Sequence, residues 1–310
     1  HTLRDGDTGD YSSLEAWQAG ELRDLVEADE IETLLCYNDW PDGLELIAAF
    51  TLNGWTVDNE HRVNIDCPES ERGTAFWPSH PGWDGFYIAT TGSFPMISIL
   101  QKGGWGIYNI GIYFNKPNNN ANGRCIALAN SAVLTSAPGY IDGIRVASRN
   151  LTCFTLTSGN GSAANNNVNS LTTNCFIVAL ENAGGSSTGL YVLSRHNLIF
   201  NCTALNLSAS TSAPGFYVNN EGIAYRHGNN VSYGPNIGFA PPAHSDDFNV
   251  ETNPCAASVD DTGTITGITE ADFVNMDLGQ LEPAAGGKLA GTGGIPTGIT
   301  LPPLDILKNP

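Results

Sequence analysis

Gly143-Ile144-Arg145-Val146, Gly189-Leu190-Tyr191-Val192 and Gly215-Phe216-Tyr217-Val218 repeat one Gly-apolar-x-Val pattern. The interval from Gly143 to Gly189 would be two turns, each slightly shorter than the interval from Gly189 to Gly215. A second series is offset from the first: Asn150-Leu151-Thr152-Cys153, Asn174-Cys175-Phe176-Ile177, Asn201-Cys202-Thr203-Ala204 and Asn229-Asn230-Val231-Ser232 follow one another at similar, slightly lengthening intervals. Two interleaved series of short β-prone segments, each recurring every roughly 20–30 residues, predict a coil with several strands per turn. Successive side chains of a strand face opposite sides, so Ile144 and Val146 share a side. We therefore expect Ile144, Val146, Leu190, Val192, Phe216 and Val218 inside and Arg145 outside.

The stretches between the repeats, such as Asn160–Ser170 and Ala183–Thr188, are rich in Asn, Gly and Ser and read as loops leaving the coil. Asparagine suits tight corners because it tolerates the left-handed conformation and hydrogen-bonds at turns. The glycosylation-type matches at Asn150, Asn160, Asn201, Asn206 and Asn230 are read as turn chemistry of this kind. Leucine-rich repeats need a leucine pattern absent here, and propeller blades have longer periods.

Upstream, Ser12 as N-cap with Glu15 following at the capping-box spacing predicts a helix over Ser12–Glu30, with Leu14, Trp17, Leu22, Leu25 and Val26 on its apolar face. Such a helix would close the open end of a solenoid core. The first strands are expected in Ile31–Tyr37, Leu44–Leu52 and Arg62–Cys67.

Charge divides the 310 residues into three zones: 1–92 carry a net −15, 93–243 carry +4 and 244–310 carry −8. The zones are read as cap helix with first coils, solenoid body, and C-terminal coil with extended tail. The overall −19 argues against nucleic-acid binding, which needs Lys and Arg on the phosphates. No apolar run approaches the length of a membrane span, so no membrane insertion is expected. Seven cysteines show no metal-type spacing, and most sit in apolar stretches, as buried thiols do. Cys175 and Cys202 are the pair expected to stack on adjacent coils.

Gly9-Asp10-Tyr11-Ser12-Ser13-Leu14-Glu15-Ala16-Trp17 resembles the opening of right-handed β-helix proteins of tailed phages and phage-derived bacterial genes. Ile265–Val274, followed by Leu281–Gly293, is similar to their closing segment, although Gly286-Gly287-Lys288 replaces the usual Ser-Pro. The resemblance implies an all-β fold, a single-stranded right-handed parallel β-helix with an N-terminal capping helix. Its members include virion surface proteins, adhesins and polysaccharide-degrading enzymes, so it specifies fold more closely than function.

Glycosidic hydrolysis needs two carboxylates facing one bond. The body offers only Asp142, Glu181 and Glu221, and the interval between the two glutamates matches no whole number of turns. A lyase needs a base and cations instead. Arg195-His196 and Arg226-His227, about one coil plus a loop difference apart, with Arg145 and Arg149 further up, are the candidate ladder for an anionic sugar chain. The plainer reading is solvated loop residues. Asp5-Gly6-Asp7-Thr8-Gly9-Asp10 resembles part of a calcium loop, but Ala16 stands where the closing Glu belongs, so a turn is the better reading. No nucleophile elbow, P-loop, zinc-protease motif or dinucleotide fingerprint is present. Trp77, Trp83, Phe86, Tyr87 and Trp105 cluster in 76–114 and are expected mostly in the core, with a few exposed as a sugar-stacking or protein-contact patch.

The expectation is a virion-associated structural protein, a capsid decoration or spike-like module on the virion surface or outside the cell. It would act by rigid display and binding, with no cofactor and no metal. Its partners would be a capsid or other virion protein or sister subunits in an oligomer or lattice, and host polysaccharide is a further possible ligand. The alternatives are a β-helix polysaccharide lyase or depolymerase, and a cell-surface adhesin or filament subunit.

Overall fold

The structure is a computed structural model. It describes residues 1–73, 77–92, 94–101, 103–115, 124–128, 138–149, 152–156, 167–180, 188–192, 195–200 and 202–206, and short segments between 216 and 286. The described chain is mostly β, with two α-helices near its start. Its strands fall into three sets of parallel neighbours that the chain visits in rotation.

The first sheet has nine strands in unbroken chain order: Thr2–Leu3, Glu32–Cys36, Val63–Asp66, Trp105–Tyr108, Gly139–Asp142, Asn167–Thr173, Arg195–Phe200, Arg226–Gly228 and Asp246–Asp247. The second also has nine, running from Leu44–Glu45 through Tyr87–Thr90, Gly111–Phe114, Arg145–Ser148, Phe176–Ala179 and Thr203–Asn206 to Ile265–Thr266. The third set is a three-stranded piece (Phe50–Leu52, Pro95–Ile99, Arg124–Leu128) and a four-stranded piece that begins at Thr152–Leu156. One antiparallel pair, Phe273–Asn275 with Gln280–Pro283, lies near the end. Each strand of the parallel sets therefore pairs with the strand one circuit earlier, which is a solenoid-like plan.

Register builds the interior from like side chains. Leu34, Ile65, Ile107 and Ile141 follow one another in the first sheet, and Ile88, Ile112, Val146, Ile177 and Ala204 in the second. With Phe50, Leu52, Ile97, Ile99 and Ile126 from the third they form one buried cluster. β-Branched residues suit such a pleated stack, and each buried aliphatic side chain contributes about 1.5–3 kcal/mol.

The corners show why Asn recurs. Asn109 and Asn174 adopt positive φ (58° and 54°), and Gly143 does so at the same place in the intervening circuit (67°). A Cβ on Gly143 would come within 2.6 Å of Asn109 Oδ1, so a side chain on that rung would have to displace the Asn109 amide, which is tied to Asp66. Gly143-Ile144-Arg145-Val146 therefore belongs with the Asn174 and Asn201 segments, because Val146 pairs with Ile177 and Ile177 with Ala204. Leu190 and Val192 pair in register instead with Phe216 and Val218 on one side and with Phe154 and Leu156 of the Asn150 segment on the other. The first members of the two repeat series are thus exchanged relative to the sequence reading. The side-chain directions of Leu190, Val192, Phe216 and Val218 lie outside the described residues.

Ile144 and Val146 are fully buried, as expected, but Arg145 is only 5% exposed rather than solvent-facing. Its parity still points it away from the interior, since its register partner Phe176 belongs to a separate outer cluster with Val178, Leu205 and the half-buried Trp77. Residues 77–86, in the long connection between Asp66 and Tyr87, lie over this outer face, with Trp77 packed on the cluster. Trp83 from that connection lies over the Arg145 guanidinium, 5.9 Å from ring centroid to Cζ. Burial comes from outside the coil, and the periodicity that predicted exposure does not report on loops folding back.

The expected single helix is two. The first, α1 (Leu14–Glu21), is capped by Ser13 rather than Ser12, its Oγ accepting from the Ala16 N–H at 3.1 Å. The second, α2 (Leu25–Ala28), is capped by Asp24 and ends at left-handed Asp29. The helix breaks because Asp24 bridges to Thr56 and the Leu25 N–H donates to the Thr56 carbonyl at 3.0 Å, docking the segment onto the coil. Leu14, Trp17 and Leu25 are buried in the common core, with Trp17 packed on Trp55 at 5.3 Å, so the helices cover the start of the interior. Leu44–Leu52 is likewise two strands around a corner, at which Ile47 is 90% exposed.

Cys36, Cys67, Cys125, Cys175 and Cys202 are buried free thiols. Cys175 and Cys202 stand on adjacent circuits, just before the paired Phe176 and Thr203. Burial pushes the Cys36 and Cys175 thiols well above their ordinary range, and Cys67 to about 12. The side chains of Cys153 and Cys255 lie outside the described residues.

Candidate functional site

The basic residues singled out in the sequence are distributed over two sheets. Arg145 and Arg149 bracket a strand of the second sheet, whereas Arg195-His196 and Arg226-His227 open strands of the first. Arg226 pairs with Leu198 and His227 with Ile199, while Arg195 pairs with Asn167. One circuit back from Arg226 is therefore Leu198, not Arg195, and the two Arg-His pairs are displaced from each other along the strand by about 10 Å. Arg149 donates to Asn115 Oδ1 at 3.3 Å. The side chains of Arg195, His196, Arg226 and His227 lie outside the described residues, as do Glu181 and Glu221.

Asp142 is engaged at a corner. Its Oδ1 accepts from Thr173 Oγ1 at 2.7 Å and Asn174 Nδ2 at 2.6 Å. Asp66 does the same two circuits earlier, accepting from Asn109 Nδ2 at 2.7 Å and from the Cys67 N–H at 2.8 Å. These carboxylates tie neighbouring circuits together. The Asp5–Asp10 segment is a turn on the first strand, with Asp10 Oδ2 accepting from the Thr2 N–H at 2.8 Å. That bond and a second from the Thr2 hydroxyl hold the Asp10 carboxyl below its ordinary range.

Two other clusters were not foreseen. His1, Glu21 and Glu32 bring ligand-type atoms within 4.8 Å of one another. Arg23 already meets both glutamates, at 2.8 Å from Glu21 and 3.0 Å from Glu32, and the Trp17 indole N–H donates to Glu32 at 2.9 Å. The Tyr11 hydroxyl donates to Glu21, the main cause of raising its pKa to about 12. This group is an internal ion-pair network joining α1 to the first sheet.

The second cluster surrounds a cleft of about 170 Å³ on the outer side of the second sheet, between the turn after Glu32–Cys36 and the 67–86 excursion. Trp40, Trp83 and Tyr87 line it, with Asn38, Asp39 and Pro41 at its rim. Each ring is seated. Trp40 packs edge-on against the buried Phe86, with centroids 6.0 Å apart. The Trp83 indole N–H donates to the Gly85 carbonyl at 2.5 Å, and its ring fills the space that a Cβ on Gly73 would need. Tyr87 lies across Gly43, whose φ of 77° closes the Trp40–Gly43 turn and whose missing Cβ leaves room for the ring. Burial, and then the charge of Asp42, raise the Tyr87 phenol above its ordinary pKa.

The polar groups of the rim are largely donors already spent. Arg4 Nη1 donates to both Asp39 oxygens, at 3.2 and 3.1 Å, while its guanidinium covers the Tyr37 ring at 3.7 Å. The Asn38 amide donates to the Asp84 carbonyl at 3.1 Å, and its backbone N–H to Glu71 Oε2 at 3.2 Å. Both signs of charge meet around the rings: Asp39, the one carboxylate lining the cleft, is paired with Arg4, and the Arg145 guanidinium faces the Trp83 ring.

No protein-family model, curated protein or solved structure matches the chain.

Of the cleft residues, Trp83 and Tyr87 fall in the aromatic cluster flagged in the sequence, but Asn38, Asp39 and Trp40 were not singled out. The signal was available in Asn38-Asp39-Trp40-Pro41-Asp42-Gly43, a run of turn-forming residues holding one large aromatic ring. A tryptophan in such a turn lacks the periodic neighbours that would bury it.

Proposed function

We propose that the three sets of strands close into a right-handed parallel β-helix, and that the protein is a virion-associated structural module, decoration or spike-like, displayed on the particle surface or released outside the cell. The observation that carries this reading is the pair of nine-stranded parallel sheets that, with the strands of the third set, surround one apolar interior, in which Asp66 and Asp142 serve as corner ties. Right-handed connection is the general rule for parallel strands joined by crossovers. The similarity of residues 9–17 and 265–293 to phage β-helix proteins supports placement on a virion. In this reading the protein works passively, docking on a capsid or other virion protein or on sister subunits and holding its loops outward, with host polysaccharide a possible ligand. The depolymerase alternative loses support from the out-of-step Arg-His pairs.

Antibody raised against the purified protein tests the placement. Gold-labelled antibody is expected to decorate intact particles purified from the producing culture. Labelling confined to the cell envelope would replace this reading with the adhesin one. The absence of catalysis is tested separately by incubation with uronate-containing polysaccharides. No unsaturated product absorbing in the ultraviolet is expected, and turnover that His196→Ala or His227→Ala abolishes in a folded protein would install the lyase reading.

A further inference from the structure

We propose that Asn53-Gly54 is a self-modification site, at which Asn53 converts through a cyclic imide to aspartate and isoaspartate, and that the isoaspartate loosens the helical cap. Asparagine is thermolabile, and a following glycine leaves the attacking backbone nitrogen unshielded by a Cβ. The Gly54 nitrogen attacks Asn53 Cγ and closes a five-membered ring. The side-chain nitrogen leaves as ammonia, taking the proton that Gly54 gives up. Water then opens the imide. Opening at the side-chain carbonyl gives an ordinary aspartate, and opening at the main-chain carbonyl leaves the chain running through Cβ and Cγ, as isoaspartate.

Both reacting groups are free to meet. Asn53 and Gly54 are exposed, and Gly54 has a positive φ of 99°. Among the described residues, neither the Asn53 carboxamide nor the Gly54 N–H has a hydrogen-bond partner. The corner asparagines differ on both counts. The Asn109 and Asn174 amides donate to Asp66 and Asp142, and the residues that follow them, Ile110 and Cys175, carry side chains and are buried. The two other Asn-Gly pairs, Asn122-Gly123 and Asn160-Gly161, lie outside the described residues.

Asn53 also stands where a change of backbone is felt by the cap. On one side, the Leu52 carbonyl is fixed to the coil by the Leu100 and Gln101 N–H groups, at 3.0 and 3.1 Å. On the other, the Thr56 carbonyl accepts from Leu25 of α2 at 3.0 Å. Between these anchors, the Asn53 N–H donates to Gln18 Oε1 of α1 at 3.3 Å, and the buried Trp55 packs on Trp17. A Cβ on Gly54 would come within 3.1 Å of Leu22 Cδ1, so the cap lies directly against the pair. Isoaspartate inserts a methylene into the main chain between the two anchors, which moves Asn53 off Gln18 or Trp55 off Trp17. It also adds a carboxylate to the acidic first zone. The inference does not depend on where the protein is displayed.

The full chain, held in warm and mildly alkaline buffer beside a synthetic Phe50–Val57 peptide, tests the site. Peptide mapping by mass spectrometry follows the amide-to-acid conversion at Asn53, and enzymatic methylation of isoaspartyl groups identifies the rearranged product. Progressive loss of the amide form is expected in the folded chain, faster as pH rises. Asn53→Gln keeps a carboxamide but needs a larger ring, and should stay unconverted at this position. The same variant, aged identically, accounts for any conversion at the other two Asn-Gly pairs. Chains converted at Asn53 are expected to melt at lower temperature than the aged variant, with tryptophan emission shifted to the red as Trp17 and Trp55 meet water. Asn53 left intact in the folded chain after the peptide has fully converted would overturn the site. Isoaspartyl chains whose melting and emission match those of the aged variant would overturn its effect on the cap.

Discussion

Glu32 is 2% exposed yet carries a carboxylate, and it is held there by the Trp17 indole and by Arg23. Replacing it with Ala would leave a buried indole N–H unpaired and is expected to lower stability by about 1–3 kcal/mol, read by denaturant unfolding. Gly143→Ala combines positive φ with the approach to Asn109 and should cost about 1–3 kcal/mol by the same measurement. His61 bridges Asp29 at 3.0 Å and Asp58 at 2.8 Å, and these two bonds, Asp29's first, raise its pKa above the ordinary 6.5. A raised pKa in the folded state means tighter proton binding than in the unfolded chain. The contribution is therefore complete below 6.5 and disappears as pH rises through the raised value. Melting temperatures of the protein and of His61→Asn should differ at mildly acidic pH and converge at alkaline pH. A difference that is constant across that range would mean that His61 acts by packing alone.

At the level of strands, alternation makes a sharp contrast between neighbours. Ile177 is fully buried in the common core, while Thr203, on the next circuit, is half-buried on the outer face. Ile177→Ala is expected to cost about 2–5 kcal/mol in chemical unfolding, and Thr203→Ala about 0.5 kcal/mol or less. The same alternation was legible in the sequence, together with the Asn-marked corners and the stacking of Cys175 on Cys202. What was not legible has a common cause. Circuit length varies, so Asn109, Gly143 and Asn174 occupy one corner at unequal intervals, and a fixed period assigned the first members of both series to the wrong sheet. The Arg-His pairs were placed side by side for the same reason. The exposure expected of Arg145 follows from its strand alone, whereas Trp83, which covers it, comes from a distant connection. The split of the cap helix follows from Thr56, a partner distant in sequence. Local pattern specified the rungs, and the contacts between excursions and rungs were invisible to it.

For the molecule as a whole, the helical cover over the start of the interior matters more than its size suggests. An uncovered core end presents apolar surface and strand edges to any other copy. Trp17→Ala removes a fully buried ring from that cover. It should cost about 3–5 kcal/mol, and light scattering should show mass rising with protein concentration, as uncovered ends associate. A variant that is destabilised but strictly monomeric would show that the cover contributes only packing.

The order of pairing also bears on how the molecule comes into being. Among the described residues, each later strand of the two long sheets takes its partner from the strand before it in that sheet, and the helices that cover the start of the interior are encoded before the circuits they support. A chain emerging from the ribosome thus meets, at each circuit, an edge that already exists. Synthesis can deposit the protein rung by rung on a finished foundation, whereas a full-length denatured chain must first choose among many similar rungs for a place to begin.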